Sequence, residues 1–355
     1  MALKILYLYT EVMGYQTSVF KRLVSTYGAS IDVVHWDHNK LTPFKHLNME
    51  GVKFHPRSSF SSEQLKQFSL DLRPDLIYIS GWQDKSYLQV ARSLRLMGYP
   101  VVVGFDDQWH GRLRQLMGSY LMKFIWKKRY FSHAWVAGPM QYEYAKRMGF
   151  SDNEIIFNLL SCDVDAFSQS LGMQEGKNDA LNFLFVGRFH ANKGINTLLE
   201  AFRIYKSQLN GTWGLICAGN GPLRDSLDRA SGVQVEEFQD IAGLRLLAER
   251  SGAFILPSRR EPWGVVVQEF ALLGLPLILS DQVGSHPLFM INGYNGYLFG
   301  HDSAVDLAKK MLAISTMSLN ERQKYANRSR KMGLVINPEM SAASLLSILS
   351  ASRQN

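Results

Sequence analysis

Cysteine is nearly absent from this 355-residue chain: only Cys162 and Cys217 occur, far apart. Two such residues cannot build a zinc cluster and give no sign of a disulfide framework, so a reducing, cytosolic setting is the simpler expectation. Long apolar runs are missing too. No stretch of about 18 consecutive apolar residues is present, and the best candidate, residues 263–279, is interrupted by Gln268 and Glu269. Nothing is therefore expected to span a bilayer. Residues 5–9 are too short for the apolar region of a signal peptide. No predicted strand leads into GxGxxG, which argues against a nicotinamide dehydrogenase, and no Walker A sequence occurs. Internal repeats and low-complexity tracts are also lacking.

One absence is local. Between Gln108 and Tyr142 there is no carboxylate, while Arg112, Arg114, Lys123, Lys127, Lys128 and Arg129 crowd the same stretch. Leu113, Leu116, Met117, Tyr120, Leu121, Phe124, Ile125 and Trp126 are interleaved with them at steps of three and four. This is the pattern of an amphipathic helix suited to an anionic membrane surface, with Arg112, Lys123, Trp126, Lys127, Lys128 and Arg129 as its contacts. The plainer alternative is a solvated basic face on a helix packed into the core. Nucleic acid is not expected as a partner, because no nucleic-acid-binding motif accompanies the charge.

What is present is ample apolar material. Hydrophobic residues make up 46% of the chain and charged residues 20%, with 39 Lys and Arg against 31 acids and a net charge of +8. Length and composition suit two packed domains. Apolar, β-branched runs at residues 3–9, 31–36, 76–80, 101–105 and 134–137 alternate with helix-length segments. The pattern repeats at 181–186, 213–218, 252–256 and 277–280. Near-continuous apolar strands signal parallel sheets covered on both faces, so two doubly wound α/β domains are expected. The polar stretch 168–179 reads as the linker between domains at 1–167 and 168–337. The last 35 residues read as two helices interrupted near Asn337-Pro338, the final one, about 338–355, returning to the first domain.

Three loops carry the chemistry. The strand ending at Val186 runs into Gly187-Arg188-Phe189-His190-Ala191-Asn192-Lys193-Gly194, with a helix expected from Ile195. Glycines admit a ligand to the backbone, a helix start adds partial positive charge, and Arg188 and Lys193 add two full ones, a combination suited to a diphosphate. A second turn, Gly219-Asn220-Gly221-Pro222, follows the next strand. The third loop, Pro257-Ser258-Arg259-Arg260-Glu261-Pro262-Trp263-Gly264-Val265, opens a helix that carries Glu269 and stops at Gly274. Amides at that helix start can face phosphate, and a carboxylate can accept both hydrogen bonds of a vicinal diol such as a ribose offers.

These motifs, completed by Asn292-Gly293-Tyr294-Asn295-Gly296-Tyr297-Leu298, resemble the donor-binding domain of retaining glycosyltransferases of family 4. The resemblance is specific over about residues 181–300. Over residues 1–160 it is architectural, supported by the Gly14 loop and Gly81-Trp82. It implies the GT-B fold, two Rossmann-like domains facing a central cleft, and transfer of a sugar from a UDP- or GDP-sugar to a glycan or lipid-linked acceptor in surface polysaccharide or lipopolysaccharide synthesis. It further implies that Arg188 and Lys193 neutralise the pyrophosphate, that Glu261 touches the transferred sugar and that Glu269 binds the ribose. Gly14, Gly187, Gly219, Asn220, Gly221, Pro262, Trp263, Gly264 and Val265 would complete the donor site. No metal or other cofactor is implied.

Two departures stand out. Where many relatives carry Gly-Gly-x-Pro-Glu, this chain has Val283-Gly284-Ser285-His286-Pro287. The first-domain loop that often holds a His reads Phe105-Asp106-Asp107-Gln108-Trp109-His110, so Asp106 or His110 is the candidate group at the acceptor hydroxyl. Asp163-Val164-Asp165 could suggest a metal-dependent transferase, but its place at the domain crossing favours Asp165 as a helix cap. The remaining alternatives are a sugar-nucleotide epimerase and a non-enzymatic basic protein that docks on membranes. Location on the inner face of the cytoplasmic membrane is the accompanying expectation.

Overall fold

The structure is a computed structural model and describes residues 3–38, 48–168 and 182–351. It divides into two compact units, Met1–Asp163 with Ile336–Asn355, and Val164–Val335. The expected linker, 168–179, lies almost wholly outside the described residues.

The first unit is a seven-stranded parallel sheet in the order β3-β2-β1-β4-β5-β6-β7. Its strands are β1 (Lys4–Tyr9), β2 (Ser30–His35), β3 (Val52–Pro56), β4 (Leu76–Ser80), β5 (Val101–Phe105), β6 (His133–Val136) and β7 (Ile155–Ile156). The interior strands are buried along nearly their whole length, as apolar runs covered on both faces must be. The helices are α1 (Gly14–Tyr27), α2 (Ser62–Leu72), α3 (Lys85–Leu96), α4 (Leu113–Leu121), α5 (Lys127–Tyr130) and α6 (Pro139–Arg147). One π-helical turn, Met122–Trp126, joins α4 to α5 without a break.

The second unit is a six-stranded parallel sheet in the order β10-β9-β8-β11-β12-β13. It is built from α7 (Val164–Ser168), β8 (Asn182–Val186), α8 (Ile195–Ser207), β9 (Gly214–Ala218), α9 (Arg224–Asp228), β10 (Val233–Glu236), α10 (Ile241–Glu249), β11 (Ala253–Leu256), α11 (Val265–Leu272), β12 (Leu277–Ser280), α12 (His286–Phe289), β13 (Gly296–Phe299), α13 (Ala304–Ser315) and α14 (Leu319–Gly333). In each sheet the strand order reverses once, at β1/β4 and at β8/β11. Ligands of open α/β sheets bind outside the carboxyl ends of the strands at such a point.

The last helix, α15 (Pro338–Ala351), returns to the first unit and packs on α1. Glu339 there accepts hydrogen bonds from Tyr27 Oη (2.7 Å) and Thr26 Oγ1 (3.1 Å). By length and composition Leu319–Ser350 would pass as a membrane-crossing helix, contrary to the expectation from sequence. The stretch is broken between Gly333 and Pro338, however, and Ala342, Leu345 and Ile348 are buried. Cys162 and Cys217 are both buried thiols outside any disulfide, each in a different unit.

Because Leu345 is fully enclosed, Leu345→Ala should cost about 2–5 kcal/mol, through lost burial plus the cavity left behind. A lowered midpoint in denaturant unfolding would show it, and an unchanged midpoint would mean that α15 contributes nothing to the first core.

Candidate functional site

At the switch point of the second sheet, three loops meet backbone against backbone. A Cβ on Gly194 would lie 1.9 Å from the Pro257 carbonyl oxygen, and one on Gly219 would lie 2.1 Å from that of Gly187. Both glycines also have positive φ, +72° and +142°. The contacts are tied by hydrogen bonds from Gly187 N to Ala218 O (3.0 Å), Phe189 N to Asn220 O (2.8 Å) and Arg259 N to Asn192 O (2.9 Å). The loops after β8, β9 and β11 thus form one platform at the carboxyl ends of their strands.

Lys193 and Glu261 meet on it. Lys193 Nζ pairs with Glu261 Oε2, and both side chains are largely buried. The same carboxylate oxygen accepts a hydrogen bond from Ser258 Oγ (3.1 Å), while Ser280 Oγ donates to Ser258 O (2.5 Å). The backbone of Glu261 is held as well, since Gly284 N donates to its carbonyl (2.9 Å). The departing segment 283–287 therefore serves as the seat for Glu261, with Ser285 N bonded to Trp263 O (3.0 Å). Ser258 and Ser280 are the residues that reasoning from sequence missed. The only signal for them was Pro257-Ser258 ahead of the glutamate.

Glu269 stands differently. It lies inside α11, makes no side-chain hydrogen bond or ion pair among the described residues, and is partly exposed. Burial of the carboxyl pushes its pKa up to about 7. Gly264, at φ +88°, starts α11 without a side-chain cap, which leaves the first-turn amides at Val265 and Val266 open. Arg188 is exposed and unpaired among the described residues, as is the Asn220 side chain apart from its bond to Gly221 N (2.7 Å). One cation held by a carboxylate, one free cation, uncapped amides and an unsatisfied carboxylate make a surface for a ligand with both an anionic part and hydroxyls.

Several expected residues are placed otherwise. The Trp263 indole is buried and packs on Phe289 at 6.0 Å, so only its backbone borders the platform. The Asn292–Leu298 motif is structural: Asn295 is buried and its Nδ2 donates to Phe289 O (2.9 Å) and Ser329 Oγ (3.3 Å), fastening α14. Asp165 sits inside the first turn of α7, where an acid favours the helix start. No group of three or more His, Cys, Asp or Glu side chains gathers among the described residues.

In the first unit, Gly14 opens α1 after β1, and Asp106 follows β5, both at the carboxyl side of the sheet. Asp106 O accepts from Gln141 Nε2 (2.9 Å); burial raises the pKa values of Tyr9 and Tyr78, and the Asp106 carboxylate adds a small further rise. His110 N donates to Gln115 Oε1 (2.9 Å), which fixes the loop into α4. Two expected membrane contacts turn inward instead. Lys127 Nζ donates to Glu154 Oε2 (2.6 Å) and Gly149 O (2.9 Å), and Trp126 packs against the core.

With this geometry in view, residues 167–332 match the family model described as glycosyl transferases group 1. A relative from Klebsiella pneumoniae, an uncharacterized 41.2 kDa protein in the cps region, is 25% identical over 207 residues, 55% of this chain and 56% of that one. Glycogen synthase of Mycobacterium tuberculosis is 31% identical over 140 residues, 38% of this chain and 33% of the enzyme. The matched stretch thus spans only about half, or less, of the length of these relatives. The structure of Anabaena HepE in complex with UDP-glucose is similar with a TM-score of 0.72 at 16% identity, covering 98% of this chain and 100% of that one. The fold is accordingly the two-domain α/β arrangement of GT-B glycosyltransferases.

Gly194→Ala should open the platform, because its Cβ would sit inside van der Waals contact of backbone that cannot yield, at a φ costly for alanine. The expected result is a loss of at least about 1–3 kcal/mol of stability. An equilibrium unfolding midpoint equal to wild type would contradict the close approach.

Proposed function

We propose that this chain is a retaining, metal-independent glycosyltransferase of the hexosyltransferase type. It takes a sugar from a nucleotide-sugar donor, UDP- or GDP-linked, and passes it to a glycan or lipid-linked acceptor in surface polysaccharide or lipopolysaccharide synthesis. The observation that carries the reading is the Lys193–Glu261 pair at the switch point of the second sheet, followed on α11 by Glu269, which has no side-chain partner among the described residues. The match to glycosyl transferases group 1 and the UDP-glucose complex of HepE support it.

In this reading the donor diphosphate takes Lys193 as its partner together with Arg188 and the amides of Val265 and Val266. Negative charge that develops on the departing nucleoside diphosphate is then met by fixed cations and dipoles. Glu261, kept in place by Ser258, is left facing the transferred sugar, and Glu269 accepts the two ribose hydroxyls. Asp106 or His110 is the group for the acceptor hydroxyl.

Purified protein supplied with UDP- and GDP-sugars in excess EDTA should release the nucleoside diphosphate. Lys193→Ala should lower that turnover roughly tenfold to a hundredfold, the worth of one or two charge-assisted contacts. Unchanged turnover in the variant would remove Lys193 from the reaction.

A pH signature follows from Glu269. Below about pH 7 its carboxyl is mostly protonated and cannot accept both diol hydrogen bonds; above it, it can. Calorimetric affinity for UDP or GDP should therefore rise with pH through this region, by at most about tenfold per unit, and then level off. Glu269→Gln has no proton to lose, and the difference between the two proteins cancels the titration of the phosphates themselves. Parallel pH profiles would show that Glu269 does not contact the nucleotide.

A further inference from the structure

The helical stretch from α4 through the π turn to α5 is apolar on two sides. Its inner side is accounted for: Met122 and Phe131 are buried, and Trp126 and Tyr130 pack on the core. On the outer side, Leu113, Leu116, Met117, Tyr120, Phe124 and Ile125 are each 51–72% exposed. Steps of three, one, three, four and one place them along a single face, and the Tyr120 and Phe124 rings lie 4.5 Å apart, tilted at 47°, without covering one another. A contiguous exposed face of this kind is uncommon on a protein that remains alone in water.

The charge around that face is of one sign. Arg112, Arg114, Lys123, Lys128 and Arg129 are exposed and make no ion pair among the described residues. Lys123 Nζ lies 5.4 Å from the Phe124 ring centre, and the Arg129 guanidinium 5.4 Å from that of Tyr130. Glu154, from outside the helix, is taken up by Lys127 on the inner side. The end of α3, which packs against α5, adds exposed apolar residues. Leu96 and Met97, at the end of α3, are 79% and 61% exposed. They lie near α5, since α3 packs against it and neighbouring Arg95 acts on the same His133 imidazole as Lys127 and Glu154.

We infer that this face is a docking surface for an anionic lipid leaflet, with the helix lying in the interface plane. Apolar side chains flanked by unpaired cations match acyl chains beneath acidic headgroups. At about 1.5 Å per residue the helix is also too short, and too charged, to cross a bilayer. A second copy of this chain is disfavoured as the occupant, because pairing the face with itself would bring two sets of five like charges together. The inference rests on this surface alone and does not depend on what the chain transfers.

The test uses the full chain without donor or acceptor, so its outcome is independent of the transferase reading. Sedimentation with vesicles of phosphatidylglycerol and phosphatidylcholine at low salt should retain the protein. Pure phosphatidylcholine should retain at least about tenfold less, and raising the salt should release the bound protein. Leu116→Gln with Phe124→Gln and Ile125→Gln should abolish retention, and Lys123→Gln with Lys128→Gln and Arg129→Gln should erase the preference for the anionic lipid. All six positions are exposed, so unfolding temperatures should stay at the wild-type value. Both native cysteines are buried, so Met117→Cys offers an accessible thiol for an environment-sensitive fluorophore. Its emission should shift to the blue on anionic vesicles and be quenched by brominated lipid. Failure of wild type to bind at low salt, or binding without that shift, would overturn the proposal. So would concentration-dependent dimerisation that the apolar triple variant removes, which would make the face a contact between copies.

Discussion

The close approach of three backbone loops at the carboxyl ends of β8, β9 and β11 is the constraint on which the rest of the candidate site depends. Gly194 lies against Pro257 and Gly219 against Gly187 at distances no side chain could occupy. That contact brings Lys193 to Glu261, 68 residues further along the chain. It also explains why glycine punctuates the loops. The glycines hold loops together at least as much as they leave room for a ligand.

Glu261 on the third loop and Glu269 on α11 differ in how their burial is compensated. Glu261 is paired with a lysine and held by a serine, so its charge is satisfied before anything binds. Glu269, partly exposed and without a partner among the described residues, is desolvated enough to raise its pKa. A buried pair is weak evidence for stability, because desolvation offsets much of the attraction. In the proposed reading an incoming diphosphate exchanges with the Glu261 carboxylate as the partner of Lys193. The free cation Arg188 and the uncapped start of α11 lie on the same platform, which gives that anion further places to bind.

In the first unit, the helix between β5 and β6 is under a comparable constraint. It satisfies its own unit with Met122, Trp126 and Lys127 and leaves a second apolar side that no described residue covers. The return of α15 to α1 encloses Leu345 and ties the end of the chain to its beginning. The sheets below differ in length, seven strands and six, but share the single reversal of order that concentrates loops at one end.

The amino-acid sequence by itself determined the alternation of strands and helices, the interior strands, the glycine loops and the position of Glu269 inside its helix. These depend on local patterns: continuous apolar runs for strands covered on both sides, and glycine or proline at the ends. The edge strands β3, β10 and β13 were not legible as strands, because an edge is partly exposed and need not be apolar throughout; β10 reads Val-Gln-Val-Glu. Tertiary structure alone decided which charges meet. Residues 108–142 contain no acid, yet Glu154 reaches back to Lys127 and takes it off the surface. Only the fold could show that Trp263 faces inward, that the motif around Asn295 clasps α14, and that Ser258 and Ser280 support Glu261. Each is a contact between segments distant in sequence, and periodicity along a chain carries no information about which distant side chain will be the neighbour.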